Sequence, residues 1–309
     1  MTGAAQAYPQ LQQRGAIVMD IAVSVRSSVP LLGDEFESLA DRAFGWFHTV
    51  ERICSRFDPT SEVMHLTAQA GRSVAVSPIL FEAVQFALAV AELSDGAFDP
   101  TIGQTLEARG FNRNYRTGNL IATEMPTAAP VSYHDVQLDD QRRTITLLRP
   151  LILDLGAVVK GLAIDLAGKE LASLGSFSID AGGDIYVAGR NDTGGLWRVG
   201  IRHPRLPQAV AAVLRVTNVA VCTSGDYERP AASGGHHIVD PRSGESPVDV
   251  ASVTVVGPNA MLADALSTAA FVLGAERGLQ LLESQGVEGL FLTSSLERRM
   301  TPGMRGFLA

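Results

Sequence analysis

Residues 151–175 read LILDLGAVVKGLAIDLAGKELASLG. LILDLG is apolar enough for a buried strand that ends in a Gly turn. AVVKGLAIDLAGKELASLG then carries a helix ending at Gly175, where glycine can take the left-handed cap conformation. A doubly wound sheet would repeat this strand, turn and helix along the chain. The flanking sequence does not. FSIDA, DIYVAG, WRVGI, AVLRVTNVAVC and VASVTVVG follow as strands, and helices resume only at Asn259. Upstream, GAIVMDIAVSVR alternates as a strand with Ile17, Met19, Ile21, Val23 and Val25 on one face. Residues 34–53 carry a helical pattern (Phe36, Leu39, Ala40, Ala43, Phe47, Val50), a second helix is expected over Pro78–Leu93, and VQLDDQRRTITLL reads as a hairpin around Asp139 and Asp140. The expected fold class is therefore α+β, with mixed sheets and packed helices in two lobes. The lobes span approximately 16–125 and 131–309 of a single unit, 1–309. The Asn-, Thr-, Gly- and Pro-rich stretch Arg113–Pro130 lies at their boundary, and residues 1–15 read as a disordered extension.

Composition narrows the function classes. The chain has 309 residues, 46% of them hydrophobic, a net charge of −8 and a pI near 5.3. That length and apolar content support a large core in a soluble globular protein. The acidic balance and the absence of a basic run argue against nucleic acid as partner. No stretch approaches the roughly 18 consecutive apolar residues of a membrane span. Cys54 and Cys222 form no CxxC and no disulfide framework. The N-terminal MTGAAQAYPQLQQRG lacks an apolar core and a lipid-accepting cysteine, so the expected location is cytoplasmic.

Five stretches carry possible chemistry, each beside a plainer reading. In LDLGAVVKG (153–161) the start of a helix, with unpaired N–H groups and the positive end of its dipole, suits a phosphate, and Lys160 adds a full charge. A surface lysine is the plainer account. SIDAGGDIYVAG (178–189) is a hairpin with Gly182–Gly183 at its tip, either turn chemistry or close backbone approach to a large ligand. SDGAFDPTIG (94–103) is a turn in which Phe98 packs on the core or on a ring-bearing ligand. In GGHHIVDPRSG (234–244) neighbouring side chains point to opposite sides, so one of His236 and His237 faces any given site. Zinc is disfavoured there, and a histidine with a pKa near 7 is a credible general base.

The fifth stretch is ADALSTAAFVLG (263–274). From Val250 through Ala275 the only charged side chain is Asp264. Asp264 and Thr268 share a helix face, with Cβ atoms roughly 6 Å apart, opposite an apolar stripe of Leu262, Leu266, Ala269 and Leu273. Simple solvation of Asp264 fits poorly with its neighbours Ala260, Met261 and Phe271. A carboxylate beside a hydroxyl suits a hard cation such as Mg²⁺, which takes oxygen ligands at about 2.0–2.1 Å.

The order SRFDPTSEV, DGAFDPTIG, LDLGAVVKGLAID, IDAGGDIYVAG, CTSGDYER, HIVDPRSG and ADALSTAAFVLG resembles the ApbE family of flavin transferases, from about residue 17 to the C-terminus. The resemblance implies a ligand site between the lobes that binds FAD with Mg²⁺. It implies transfer of FMN to a Thr or Ser hydroxyl of an acceptor flavoprotein or domain through a phosphoester, with release of AMP. Asp264 and Thr268, with the backbone carbonyl of Ala157, correspond to the metal ligands. Asp154, Lys160, Ala97, Phe98, Asp99 and Ile238 correspond to FAD-contacting positions, and His237 to the base that deprotonates the acceptor. Phe57 stands where a tyrosine is usual, keeping a stacking ring without a hydroxyl, and Met19-Asp20-Ile21 replaces the common MGT, whose methionine contacts flavin or adenine. The glycine-leucine-tryptophan element that often follows the DPT motif is missing, and no export signal is seen although many members are exported lipoproteins. Two other readings share these motifs: an FAD pyrophosphatase using water as acceptor, and a non-catalytic FAD-binding protein.

Overall fold

The computed structural model describes residues 12–31, 34–113, 118, 120–123, 130–229 and 234–309. The first strands, β1 (Gln12–Val18) and β2 (Ile21–Ser27), are an antiparallel hairpin rather than one strand. The chain reverses at Met19 and Asp20, both left-handed (φ 52° and 59°), as a two-residue hairpin turn requires. The reversal breaks the expected alternation, so Ile17 is 75% exposed while Val23 and Val25 are buried. Residues 12–15 of the expected N-terminal extension are part of β1, and residues 1–11 lie outside the described residues.

Helix α1 (Glu35–Cys54) buries Phe36, Leu39, Ala40, Ala43, Phe47 and Val50 along one stripe, with Glu35 and Glu37 at its positive end. α2 (Glu62–Thr67) follows, capped by Ser61, whose hydroxyl accepts from the Met64 N–H. After β3 (Ser73–Ala75), α3 (Pro78–Leu93) has the expected bounds, because Ser77 caps it and Pro78 occupies the first turn. α4 (Gly103–Ala108) precedes the Arg113–Pro130 stretch, of which 114–117, 119 and 124–129 lie outside the described residues. β4 (Val136–Asp139) and β5 (Thr144–Leu147) form the expected hairpin and join β3 in a small antiparallel sheet, order β3-β5-β4.

LILDLG is buried but is not a sheet strand. Leu151, Ile152 and Leu153 are fully buried, yet their backbone pairs with the DPTIG turn. Ile152 bridges Ile102, its carbonyl accepts the Gly103 N–H at 3.2 Å, and the Asp154 N–H donates to Pro100 at 2.7 Å. These bonds engage the Ile152 carbonyl and the Asp154 N–H without a strand neighbour and fasten two of the sequence motifs together. α5 (Gly156–Glu170) then runs on to a short 3₁₀ turn that stops at Gly175, φ 66°.

The remaining strands are β6 (Phe177–Ala181), β7 (Asp184–Ala188), β8 (Trp197–Arg202), β9 (Val210–Val216), β10 (Val219–Gly225), β11 (Val250–Gly257), β12 (Glu288–Thr293) and β13 (Arg298–Met300). AVLRVTNVAVC is thus split at Thr217–Asn218, where Asn218 is left-handed (φ 54°). β9 pairs with β8, whereas β10 enters the main antiparallel sheet, order β1-β2-β6-β7-β10-β11-β12-β13. Alternation along β10 builds two cores. Ala220 and Cys222 face the helices, while Val221 faces the β8–β9 ribbon, which packs Val199, Ile201, Leu214 and Val216 against it. Cys54 and Cys222 are buried free thiols.

α6 (Ala260–Ser284), interrupted at Gly274, is buried between the main sheet and α5. Its entry is fixed from α5: the Asp165 carboxylate accepts the Ala260 and Met261 N–H groups at 2.7 and 2.9 Å. The two helices approach at Gly161, where a Cβ would stand 2.5 Å from the Ala260 carbonyl oxygen. Such contact leaves α6 with only partial exposure over its first turns, at Met261, Leu262 and Thr268. Ala263, Asp264, Ala265, Leu266, Ser267, Ala269, Ala270 and Phe271 are all buried, so the expected division into a Leu stripe and an opposite face does not hold.

Candidate active site

A cavity of about 660 Å³ is lined by Met19, Phe57, Ala97, Phe98, Asp99, Asp154, Ala157, Lys160, Gly182, Gly183, His237, Ile238, Asp264 and Thr268, and of the candidates only His236 stays outside it. The volume is in the range of small-molecule and cofactor sites, roughly 300–1,000 Å³. Lining residues come from both sides of the 113–130 stretch.

At one part of the cavity three charges meet. Lys160 Nζ lies 2.5 Å from Asp184 Oδ2 and 3.9 Å from Asp264 Oδ2. Both carboxylates are buried, and Asp264 Oδ2 accepts no hydrogen bond. Burial raises the Asp264 pKa well above the usual carboxylate value, Lys160 opposes this, and Asp184 adds to it. For Lys160, burial disfavours the charge, but Asp184 and Asp264 outweigh it and raise the pKa. Asp184 is held in turn by the Thr223 N–H, 3.0 Å from its Oδ1.

Asp154 stands at the start of α5 and is not free. Its Oδ2 accepts from Arg56 Nε at 2.5 Å and its Oδ1 from the Gly156 N–H at 2.9 Å. Burial pushes its pKa up, but Arg56 and the Gly156 bond outweigh that and lower it. Arg56, 4% exposed, also donates to the Phe111 carbonyl at 2.6 Å and lies 4.1 Å from the Phe57 ring centroid, a cation–π contact. Asp99 is likewise engaged: Oδ1 accepts from the N–H and hydroxyl of Thr101, and Oδ2 from the Tyr133 N–H. It therefore shapes the DPT turn that presents Ala97 and Phe98.

Gly182 and Gly183 form the turn that the sequence suggests and also line the cavity. They are the left-handed tip of the β6–β7 hairpin (φ 62° and 96°), and a Cβ on Gly183 would meet no atom within 4 Å. The backbone at this tip is open to a ligand.

The two histidines diverge as expected. His236 turns inward, its Nε2 2.9 Å from the Pro247 carbonyl and its ring edge-on to Phe271. His237 lines the cavity, its ring edge-on to Phe111 at 6.5 Å, and its Nδ1 is buried without a hydrogen-bond partner. Its pKa is lowered to about 3 rather than lying near 7. Burial is the main cause, and the charges of Arg229 and Lys160 and the neighbouring His236 add to it. The ring is neutral at physiological pH.

Arg56, Asp184 and Ser224 escaped the sequence reading. Arg56 precedes Phe57, and Asp184 follows the paired glycines, where a charge beside a chosen motif residue was the available signal. Among the described residues, no three His, Cys, Asp or Glu side chains are grouped to hold a metal. Asp264, with its unpartnered Oδ2, Thr268 and Ala157 line the same cavity, and a carboxylate, a hydroxyl and a backbone carbonyl are oxygen donors of the kind a hard cation could take.

A family model described as the ApbE family matches residues 19–291. The FAD:protein FMN transferase of Rhodobacter capsulatus is 34% identical over 80% of this chain, which spans 49% of that relative's length. The FAD:protein FMN transferase of Treponema pallidum (strain Nichols) is 32% identical over 94% of this chain and 87% of the relative. Among solved structures, the ApbE protein of Thermotoga maritima superposes with a TM-score of 0.86 at 28% identity, covering 97% of this chain and all of that one.

Proposed function

Because the chain belongs to the ApbE family, we propose that it is a Mg²⁺-dependent FAD:protein FMN transferase. It cleaves FAD, links FMN through a phosphoester to a Thr or Ser hydroxyl of an acceptor protein, and releases AMP. The observation that carries this reading is that the residues chosen from separate motifs line one cavity, in which a buried carboxylate oxygen stands unpartnered beside a lysine.

In this reading the FAD pyrophosphate lies by the first turns of α5, where Lys160 and the helix dipole offset its charge. Phe57 and Phe98 offer flat apolar contact to the ring systems, and the Gly182–Gly183 tip lets backbone approach closely. Asp264, Thr268 and the Ala157 carbonyl would hold the Mg²⁺, which when bound neutralises charge on the phosphoryl oxygens.

His237 takes the proton of the acceptor hydroxyl as its oxygen bonds to the FMN phosphorus. The bond from that phosphorus to the bridging oxygen breaks, and AMP leaves with the oxygen. An imidazole with so low a pKa is a weak base in the empty site. The negative charge of bound FAD raises it, because a nearby anion favours the imidazolium.

The test is incubation with FAD, Mg²⁺ and a candidate acceptor, followed by denaturing electrophoresis. A fluorescent acceptor band is expected. AMP release with no labelled acceptor would replace the reading with FAD hydrolysis, and no turnover with FAD retained would leave a binding protein.

A further inference from the structure

Three hydroxyl groups beside Asp264 form a chain whose direction follows from counting protons. Ser267 Oγ lies 2.8 Å from the backbone carbonyl oxygen of Asp264, which can only accept, so the single Ser267 proton is committed there. Ser267 Oγ is also 2.7 Å from Ser224 Oγ, and in that bond Ser224 must donate. Ser224 Oγ is 3.1 Å from Thr268 Oγ1, and with the Ser224 proton already engaged, Thr268 must donate. The relay therefore runs from Thr268 through Ser224 and Ser267 to the Asp264 carbonyl. Ser267 is fully buried and Ser224 is 8% exposed, so the relay is shielded from solvent.

The consequence falls on Thr268. Its proton is directed at Ser224 on β10, which leaves oxygen lone pairs for the cavity. A threonine hydroxyl in the opposite state would turn its O–H toward a cation and repel it. We infer that Ser224 is a positioning residue that polarises Thr268 into an acceptor-only ligand, with Ser267 fixing the direction from behind. This rests on Asp264 and Thr268 being the metal ligands. Groups that orient a ligand in this way typically contribute about 10–100-fold in metal affinity.

The experiment is an Mn²⁺ titration followed by electron paramagnetic resonance, with FAD present and no acceptor, so that binding is read without turnover. Ser224→Ala should weaken Mn²⁺ binding by about 10-fold or more. Ser267→Ala, which touches neither Thr268 nor the cation, should weaken it less but in the same direction, because Ser224 is then free to donate toward Thr268. In the double variant the loss should equal that of Ser224→Ala alone, as expected for two members of one relay. Independent packing defects would instead add. Unchanged Mn²⁺ affinity in Ser224→Ala, or additive losses in the pair, overturns the relay. Asp264→Ala separates the two levels. If it abolishes Mn²⁺ binding while Ser224→Ala does not weaken it, the metal assignment stands and the relay falls; if Asp264→Ala binds like wild type, the metal assignment falls and the relay with it.

Discussion

The Lys160 ammonium is paired to the Asp184 carboxylate at 2.5 Å, which joins the second turn of α5 to the start of β7. The pair holds Lys160 charged inside the fold and keeps it 3.9 Å from Asp264, near enough to share a ligand with it but not close enough to occupy its oxygen. Asp184→Asn removes that restraint and leaves Asp264 as the nearest anion. Lys160 should then move toward Asp264 and compete with the cation for it. Breaking a buried pair costs about 3–5 kcal/mol, and since Lys160 keeps 27% side-chain exposure the loss should lie near the lower figure. The expected result is a lower melting temperature and a fall of at least about 10-fold in kcat/KM for flavin transfer. Wild-type values for both would show that the pair has no part in the site.

His237 sets a pH signature opposite to that of an ordinary histidine. Burial first, and then neighbouring charge, hold its pKa at about 3, against the ordinary 6.5 of a free histidine side chain. In the free enzyme the ring is therefore in its base form throughout the mildly acidic range. kcat/KM, which reports groups of the free enzyme, should show no acid limb from His237 near pH 6.5. Stability carries the complementary sign. Below pH 6.5 the unfolded chain binds a proton that the folded state refuses, so the contribution is fully present above pH 6.5 and is lost as pH falls toward 3. His237→Gln should flatten this part of the melting-temperature profile and abolish transfer while FAD still binds. An unaltered profile, or an undiminished transfer rate, would contradict the assignment.

How far the sequence was legible can be read from particular residues. Pro78–Leu93 was found to the residue because its start is written in local chemistry, a serine cap and a proline in the first turn. Asp264 stood out because it is the sole charge across Val250–Ala275. Where local pattern misled, long-range contact was the reason. LILDLG is as apolar as a central strand, yet its partner is a turn some fifty residues earlier, bridged at Ile102. GAIVMDIAVSVR alternates without a break, but Met19 and Asp20 lack the glycine that usually announces a left-handed turn. Arg56 and Asp184 were missed because their roles depend on Asp154 and Lys160, partners that only the fold brings near.

Arg56 should respond to substitution even by lysine. Its guanidinium donates to Asp154 at 2.5 Å and to the Phe111 carbonyl at 2.6 Å while facing the Phe57 ring. A lysine ammonium has no planar fork and cannot serve all three. Arg56→Lys should loosen Phe57 and Asp154 together, raising KM for FAD about 10-fold while kcat changes little, since no reacting atom is touched. Arg56→Ala strands a buried carboxylate and should destabilise the fold by about 3–5 kcal/mol. An Arg56→Lys variant that keeps wild-type melting temperature and KM, with only Arg56→Ala destabilised, would show that charge alone, not the fork, is what Asp154 requires.

Asp264 should show opposite effects on stability and on cation binding. In the metal-free protein burial raises its pKa well above the usual carboxylate value, with Lys160 opposing and Asp184 adding. The folded state thus retains a proton that the unfolded chain has released. The stability this contributes is complete at low pH and is lost as pH rises through the folded value. Asparagine keeps the shape, carries no such charge and forfeits the ligand. In EDTA near neutral pH, Asp264→Asn should melt at or above the wild-type temperature. With FAD present throughout, only wild type should gain further stability when Mg²⁺ is added, as a ligand that binds the folded state alone requires. An Asp264→Asn protein that melts well below wild type in EDTA would mean that the carboxylate is a structural anchor for Lys160. One that keeps the Mg²⁺-dependent gain would mean that the cation is held elsewhere.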